Sequence, residues 1–171
     1  RTAHRVQLPA AAPTVPPGPL GWSVGPRPPR AVPSGVHFTL VDRVLEESPE
    51  RVVAVKLVSA AEEYLQDHFP TFPVLPGVMM LEAMVQAGRV LASRRGLQGR
   101  WVLGGVQALR YGRFVRPGDT LRLTVSPHRA DDAKLECTGK GEVVLPDGST
   151  DVAVSGRFTL RPVRIPELST T

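Results

Sequence analysis

An α+β fold, with an antiparallel sheet wrapped around one long apolar helix, is what this sequence predicts, and three observations carry the prediction. From Val78 to Leu91 almost every position is apolar, including Met79, Met80, Leu81, Met84, Val85 and Val90, so a helix here has no polar face and must be covered rather than laid on a surface. Extended runs rich in Val, Leu and Thr lie on both sides of it, separated by Pro, Gly, Asp and Ser turn residues. No second helical segment is available to bury the first, which leaves the sheet to do so.

The elements follow in order. Half of the 18 prolines fall within the first 33 residues, beside Gly18, Gly21, Gly25, Arg27 and Arg30, and a stretch of that composition makes neither helix nor strand. Residues 1–35 are therefore read as an extended tail or linker, either docked through Leu20, Trp22 and Val24 or plainly disordered. The domain proper is placed at 36–165 and a short C-terminal tail at 166–171. His37 to Leu45 and Arg51 to Val58 are two strands joined by Ser48-Pro49-Glu50, a hairpin. Arg95-Gly96 ends the helix. Trp101–Leu109, Thr120–Ser126, Ala133–Val144 and Asp151–Arg161 are further strands, with Pro146-Asp147-Gly148 turning the last hairpin.

Composition narrows the function classes. Basic residues exceed acidic ones, 21 against 16, and three of the 21 are lysine; the arginines are scattered, with no stripe and no nucleic-acid motif, so an acidic protein partner fits this charge better than nucleic acid. Cys137 is the single cysteine, which gives no disulfide framework and no metal-binding pair and makes a reducing, cytoplasmic compartment the expectation. His37 and His128 have no partners at ligand spacing, and no metal is expected. The longest apolar stretch is broken by Glu82 and follows three prolines, too short for a membrane span. No signal-peptide pattern opens the chain, and its start at Arg1 rather than Met is compatible with trimming.

Two groups suited to acid-base chemistry lie close together in apolar surroundings, His68 and Glu82. Imidazole titrates near neutrality and serves as a base. A carboxyl in the middle of an apolar helix loses water, and such burial favours its protonated form. Gln86, one turn on, is placed to hydrogen-bond Glu82.

On these residues the sequence resembles a known family, the hotdog-fold (3R)-hydroxyacyl-acyl carrier protein dehydratases of type II fatty-acid synthesis, and within them the Z-type. The resemblance runs from about Phe38 to Arg161. Its strongest element is His68-Phe69-Pro70, Pro76-Gly77-Val78, Glu82-Ala83-Met84 and Gln86, matched without gaps. Leu40 to Val44, Arg110 to Arg113 and Pro117-Gly118-Asp119 are weaker elements. The A-type relatives carry Asp where this chain has Glu82. Departures from the pattern are Asp67 for glycine, Thr71-Phe72 for Gly-His, Phe114 for proline, and Pro33-Ser34-Gly35 where the family opens with Pro-His-Arg.

The resemblance implies a sheet shared across a homodimer, with Z-type relatives often assembling three dimers into a hexamer. It implies dehydration of a 3-hydroxyacyl chain carried on the 4'-phosphopantetheine of acyl carrier protein, with no cofactor. His68 and Glu82 become the catalytic pair, meeting across the two chains, and the Gly77 backbone N–H the group that polarises the thioester carbonyl. Gln86 and Val78 become supporting residues, with Phe69, Phe72, Met79 and Tyr111 at the substrate tunnel and its entrance. The departures lie around the catalytic pair and bear on the substrate rather than on the reaction. A hotdog thioesterase and a non-catalytic acyl-binding module are the alternatives; an ionisable His68 and Glu82 give a binding module no benefit for the cost of burying them.

Overall fold

The structure of the chain is a computed structural model that describes residues 39–163 apart from 132. The expected tails, the docking of Leu20, Trp22 and Val24, and His37 lie outside the described residues. The observed order is β1 (Arg43–Glu47), β2 (Val52–Leu57), a 3-10 turn (Glu63–Leu65), α1 (Gly77–Arg94), β3 (Trp101–Tyr111), β4 (Thr120–Asp131), β5 (Lys134–Val144) and β6 (Thr150–Pro162). The six strands form one sheet in the order β1-β2-β4-β5-β6-β3, antiparallel throughout. This is the α+β hotdog arrangement that the sequence led one to expect.

Alternation within the strands builds the core. Pairing of β2 with β4 sets Val52 beside Val125 and Ala54 beside Leu123, and all four side chains are buried. On β5 and β6, Leu135 pairs with Leu160 and Cys137 with Phe158, again fully or nearly fully buried. Met80, Met84, Ala87 and Leu91 of α1 belong to the same core. At Gly139 on β5 a Cβ would come within 2.5 Å of the Met84 sulfur, so the bare backbone there lets helix and sheet close up.

Three differences from the sequence reading have physical causes. Residues 39–42, expected to be strand, are not, and the first described strand begins at Arg43: the Leu40 amide is taken by a helix side chain, Gln86 Oε1 at 2.9 Å, instead of by a strand neighbour. Strand β4 continues past Ser126 to Asp131 through Pro127, where a register shift between Pro127 and Arg129 accommodates the missing N–H. The helix is also not covered all round within one chain: Val78 is exposed, and Leu81, Glu82 and Arg89 are partly exposed.

The segment between β2 and α1 carries His68, and a charge cluster around the buried Lys56 pins its start. Lys56, 5 % exposed, places Nζ 2.7 Å from Glu62 Oε1 and 3.9 Å from Asp42 Oδ1. Tyr64 donates its hydroxyl hydrogen to the other Glu62 oxygen. Burial alone would raise the Glu62 carboxyl, but hydrogen bonds from Lys56, Tyr64 and the Ser59 amide outweigh it and hold the group below its ordinary value. The Tyr64 phenol is pushed up by burial and by its carboxylate neighbour. No helix among the described residues is long and apolar enough to cross a membrane.

Candidate active site

His68 sits on a short excursion that closes on itself. The Val74 amide donates to the His68 carbonyl at 3.0 Å, Phe69 and Phe72 exchange backbone hydrogen bonds at 3.3 and 3.0 Å, and the Leu75 amide donates to the Val115 carbonyl, between β3 and β4, at 2.8 Å. The peptide between His68 and Phe69 is cis, and their rings stack with centroids 4.5 Å apart. His68 Nδ1 lies 3.0 Å from the Val74 carbonyl oxygen. A carbonyl can only accept, so Nδ1 carries the hydrogen, and in the neutral ring Nε2 presents its lone pair to a substrate.

Glu82 lies on the open side of α1 with its side chain 34 % exposed. Gln86 is buried and serves as its cap: Nε2 donates to Glu82 Oε1 at 3.2 Å while its own Oε1 holds the Leu40 amide. The other donor was not foreseen. Arg89 Nη1 reaches the same Glu82 Oε1 at 3.0 Å, and Arg89 Nε donates to the Trp101 carbonyl at 2.9 Å. Its signal was present in the sequence, since a residue seven positions on returns to the same helix face after two turns. The apolar surroundings expected for Glu82 thus include a guanidinium.

Gly77 opens the helix behind Pro76, which supplies no side-chain cap. Among the described residues the Gly77 and Val78 amides have no acceptor, and both point out of the positive end of the helix dipole. A Cβ at position 77 would fall 2.7 Å from Tyr111 Cζ, so only glycine fits beneath that ring. Partial burial raises the Tyr111 phenol, which stays a neutral donor around pH 7. Phe69, Phe72, Val78 and Tyr111 are all exposed, and Met79 is half-buried against the core.

The structure therefore brings Glu82 together with Gln86, and Gly77 with Tyr111. It does not join His68 to Glu82: among the described residues no hydrogen bond links them within one chain. No cluster of metal-ligating side chains occurs among the described residues either.

Comparison with known proteins bears on the family and the fold. Chains similar to this one include the 3-hydroxyacyl-[acyl-carrier-protein] dehydratase FabZ of Chloroflexus aggregans, 50 % identical over 101 residues that cover 57 % of this chain and 70 % of the relative. The enzyme of the same name from Bacillus cereus is 40 % identical over 116 residues, covering 66 % of this chain and 78 % of the relative. Among solved structures, the dehydratase heterocomplex ApeI:P from Xenorhabdus doucetiae superposes with a TM-score of 0.59 at 21 % identity, over 76 % of this chain and 86 % of that one. A hypothetical thioesterase from Streptococcus pneumoniae, bound to coenzyme A, reaches 0.54 at 13 % identity, over 71 % and 84 %. At such identities the structures speak for the fold alone. The profile of the FabA-like domain matches residues 32–153, and with relatives at 40 to 50 % identity the chain belongs to that family of dehydratases.

Proposed function

We propose that this chain removes water from (3R)-3-hydroxyacyl groups carried on acyl carrier protein, giving the trans-2-enoyl thioester in fatty-acid synthesis or a related lipid or polyketide route. The observation that carries the reading is the fixed His68 ring, whose Nδ1 is committed to Val74 so that Nε2 is the base. His68 Nε2 takes the proton from C2, and the charge that develops on the thioester oxygen is met by the Gly77 and Val78 amides at the helix start. Glu82 gives its proton to the hydroxyl at C3. The C3–O bond breaks, the C2–C3 double bond forms, and water leaves. The proton on His68 and the one missing from Glu82 are rebalanced through solvent before the next turnover. No step calls on a metal or an organic cofactor.

The reading includes a homodimer with sites shared between chains, and the cytoplasm as its compartment. What supports the sharing is that His68 and Glu82 are not bonded within one chain and that the Val78–Glu82–Arg89 side of the helix is open. Edge strand β3 also exposes Val102, Leu103 and Val106 beside a backbone edge that is unpaired among the described residues, the kind of surface that a second copy covers. Trimers of dimers belong to the same proposal.

Product analysis on a 3-hydroxyacyl thioester tests the function. An ultraviolet-absorbing enoyl thioester is the expected product. Free acid with free thiol would make the chain a thioesterase, and tight carrier binding without turnover would make it an acyl-binding module.

A further inference from the structure

Both donors to Glu82 use the same oxygen. Gln86 Nε2 and Arg89 Nη1 lie 3.2 and 3.0 Å from Oε1, while Oε2 accepts no hydrogen bond among the described residues. The donors are themselves held. Gln86 is buried and accepts from the Leu40 amide, and the Arg89 Nε hydrogen is spent on the Trp101 carbonyl at the first residue of β3. The carboxyl group is thus fixed by one oxygen to its own helix and, through Arg89, to a neighbouring strand.

We propose that Arg89 is a positioning residue that aims Glu82 Oε2 at the departing hydroxyl and stabilises the carboxylate left when the proton has gone. A guanidinium with two of its N–H groups fixed in direction holds the carboxyl plane, which a lysine, a point charge on a flexible stem, does less well. On the dehydratase reading Glu82 enters the step as the acid, so negative charge grows on it as the proton passes to the hydroxyl. A preorganised positive partner 3.0 Å away therefore favours the transition state over the bound substrate, and the effect belongs in kcat rather than KM. Trp101 carries the other end of the link, so the placement of the acid depends on the first residue of the edge strand. This rests on the dehydratase reading, with Glu82 as its acid.

The test is a cycle of Arg89→Leu, Glu82→Gln and the double variant, with Arg89→Lys alongside, measured on a 3-hydroxyacyl thioester with melting temperatures recorded. Arg89→Leu is expected to lower kcat by about 10- to 100-fold, the size of a lost charge-assisted hydrogen bond with misplacement of the group it held. KM stays within about twofold, and Arg89→Lys recovers part of the loss. Against a Glu82→Gln background the same change lowers the residual rate by less than about twofold, because the group through which Arg89 acts is gone. An equal fold-loss in both backgrounds, a change in KM alone, or no loss overturns the proposal. If Arg89→Leu does not fold, Arg89→Lys supplies the same cycle. The parent reading fails separately, by a Glu82→Gln variant that keeps its rate.

Discussion

Phe72 and Phe114 meet edge to face, with ring centroids 5.8 Å apart and planes at 86°, and they occupy two of the positions at which the sequence leaves its family's pattern. The departures that looked independent in the sequence are therefore one contact in space. Arg116 adds to it, its guanidinium 4.9 Å above the Phe72 ring. A histidine and a proline at these positions would not form this pair of phenylalanine rings.

That pairing predicts non-additivity. Phe72→Ala and Phe114→Ala should each lower stability modestly, because both rings are already largely exposed, while the double variant costs less than the sum by about 0.5–1.5 kcal/mol, the size of an aromatic pair. Urea unfolding of the four proteins measures it. Strict additivity would mean that the rings touch without coupling.

His68→Ala and Glu82→Gln should each leave assembly intact and lower dehydration by roughly 100- to 10,000-fold, the range for loss of a general acid or base. Size-exclusion profiles and initial rates decide. A variant that keeps more than about a third of the rate removes its residue from the mechanism.

At Gly77 the prediction concerns space. An alanine Cβ would press into the Tyr111 ring at 2.7 Å, and overpacking of this kind costs about 1–3 kcal/mol unless the ring swings away. In a Tyr111→Ala background the same change should be neutral or slightly stabilising, since alanine favours helix over glycine by up to about 1 kcal/mol. Equal destabilisation in both backgrounds, read from urea midpoints, would show that Tyr111 is not what excludes the side chain.

The cluster beneath the His68 segment gives a prediction in pH. The Glu62 carboxyl is held below its ordinary value in the folded chain, so the stability it contributes is present above the unfolded value and is lost as pH falls through the folded one. Glu62→Gln should flatten the acid side of the stability curve below about pH 4.5. It should also cost about 1.5–3 kcal/mol near neutrality, the range for a hydrogen bond to a charged group, because Glu62 is only partly buried and Asp42 still lies 3.9 Å from the buried Lys56. Guanidinium unfolding across the pH range checks both.

Much of the fold was legible because its elements announce themselves locally. The helix shows in a nearly continuous apolar run, the hairpins in Ser48-Pro49-Glu50 and Pro146-Asp147-Gly148, and the candidate site residues in the spacing of His68, Gly77 and Glu82. What escaped depends on contacts distant in sequence or on side-chain reach. The tail end of β4 runs beyond the core, where its residues are exposed and no alternation marks them. The open side of α1 is apolar at Val78 and Leu81, and composition cannot say whether sheet, solvent or another chain covers such residues. Arg89 was legible in principle from its spacing to Glu82, but its second bond, to Trp101, exists only once β3 has folded against the helix.

The shared site is tested by mixing. On the proposed reading, Glu82 on the open side of α1 meets His68 of a second copy, since within one chain the two groups share no hydrogen bond. If one chain carries His68→Ala and the other Glu82→Gln, a heterodimer has one site with both lesions and one site with neither. Each homodimer should be nearly inactive. Refolding the two together at equal amounts gives half heterodimers, each with one intact site of two, and so about one quarter of wild-type activity. Were both groups supplied by one chain, every site in the mixture would carry a lesion. Native mass spectrometry confirms that heterodimers have formed, and a mixture that contains them yet is as inactive as its parents would sink the shared site.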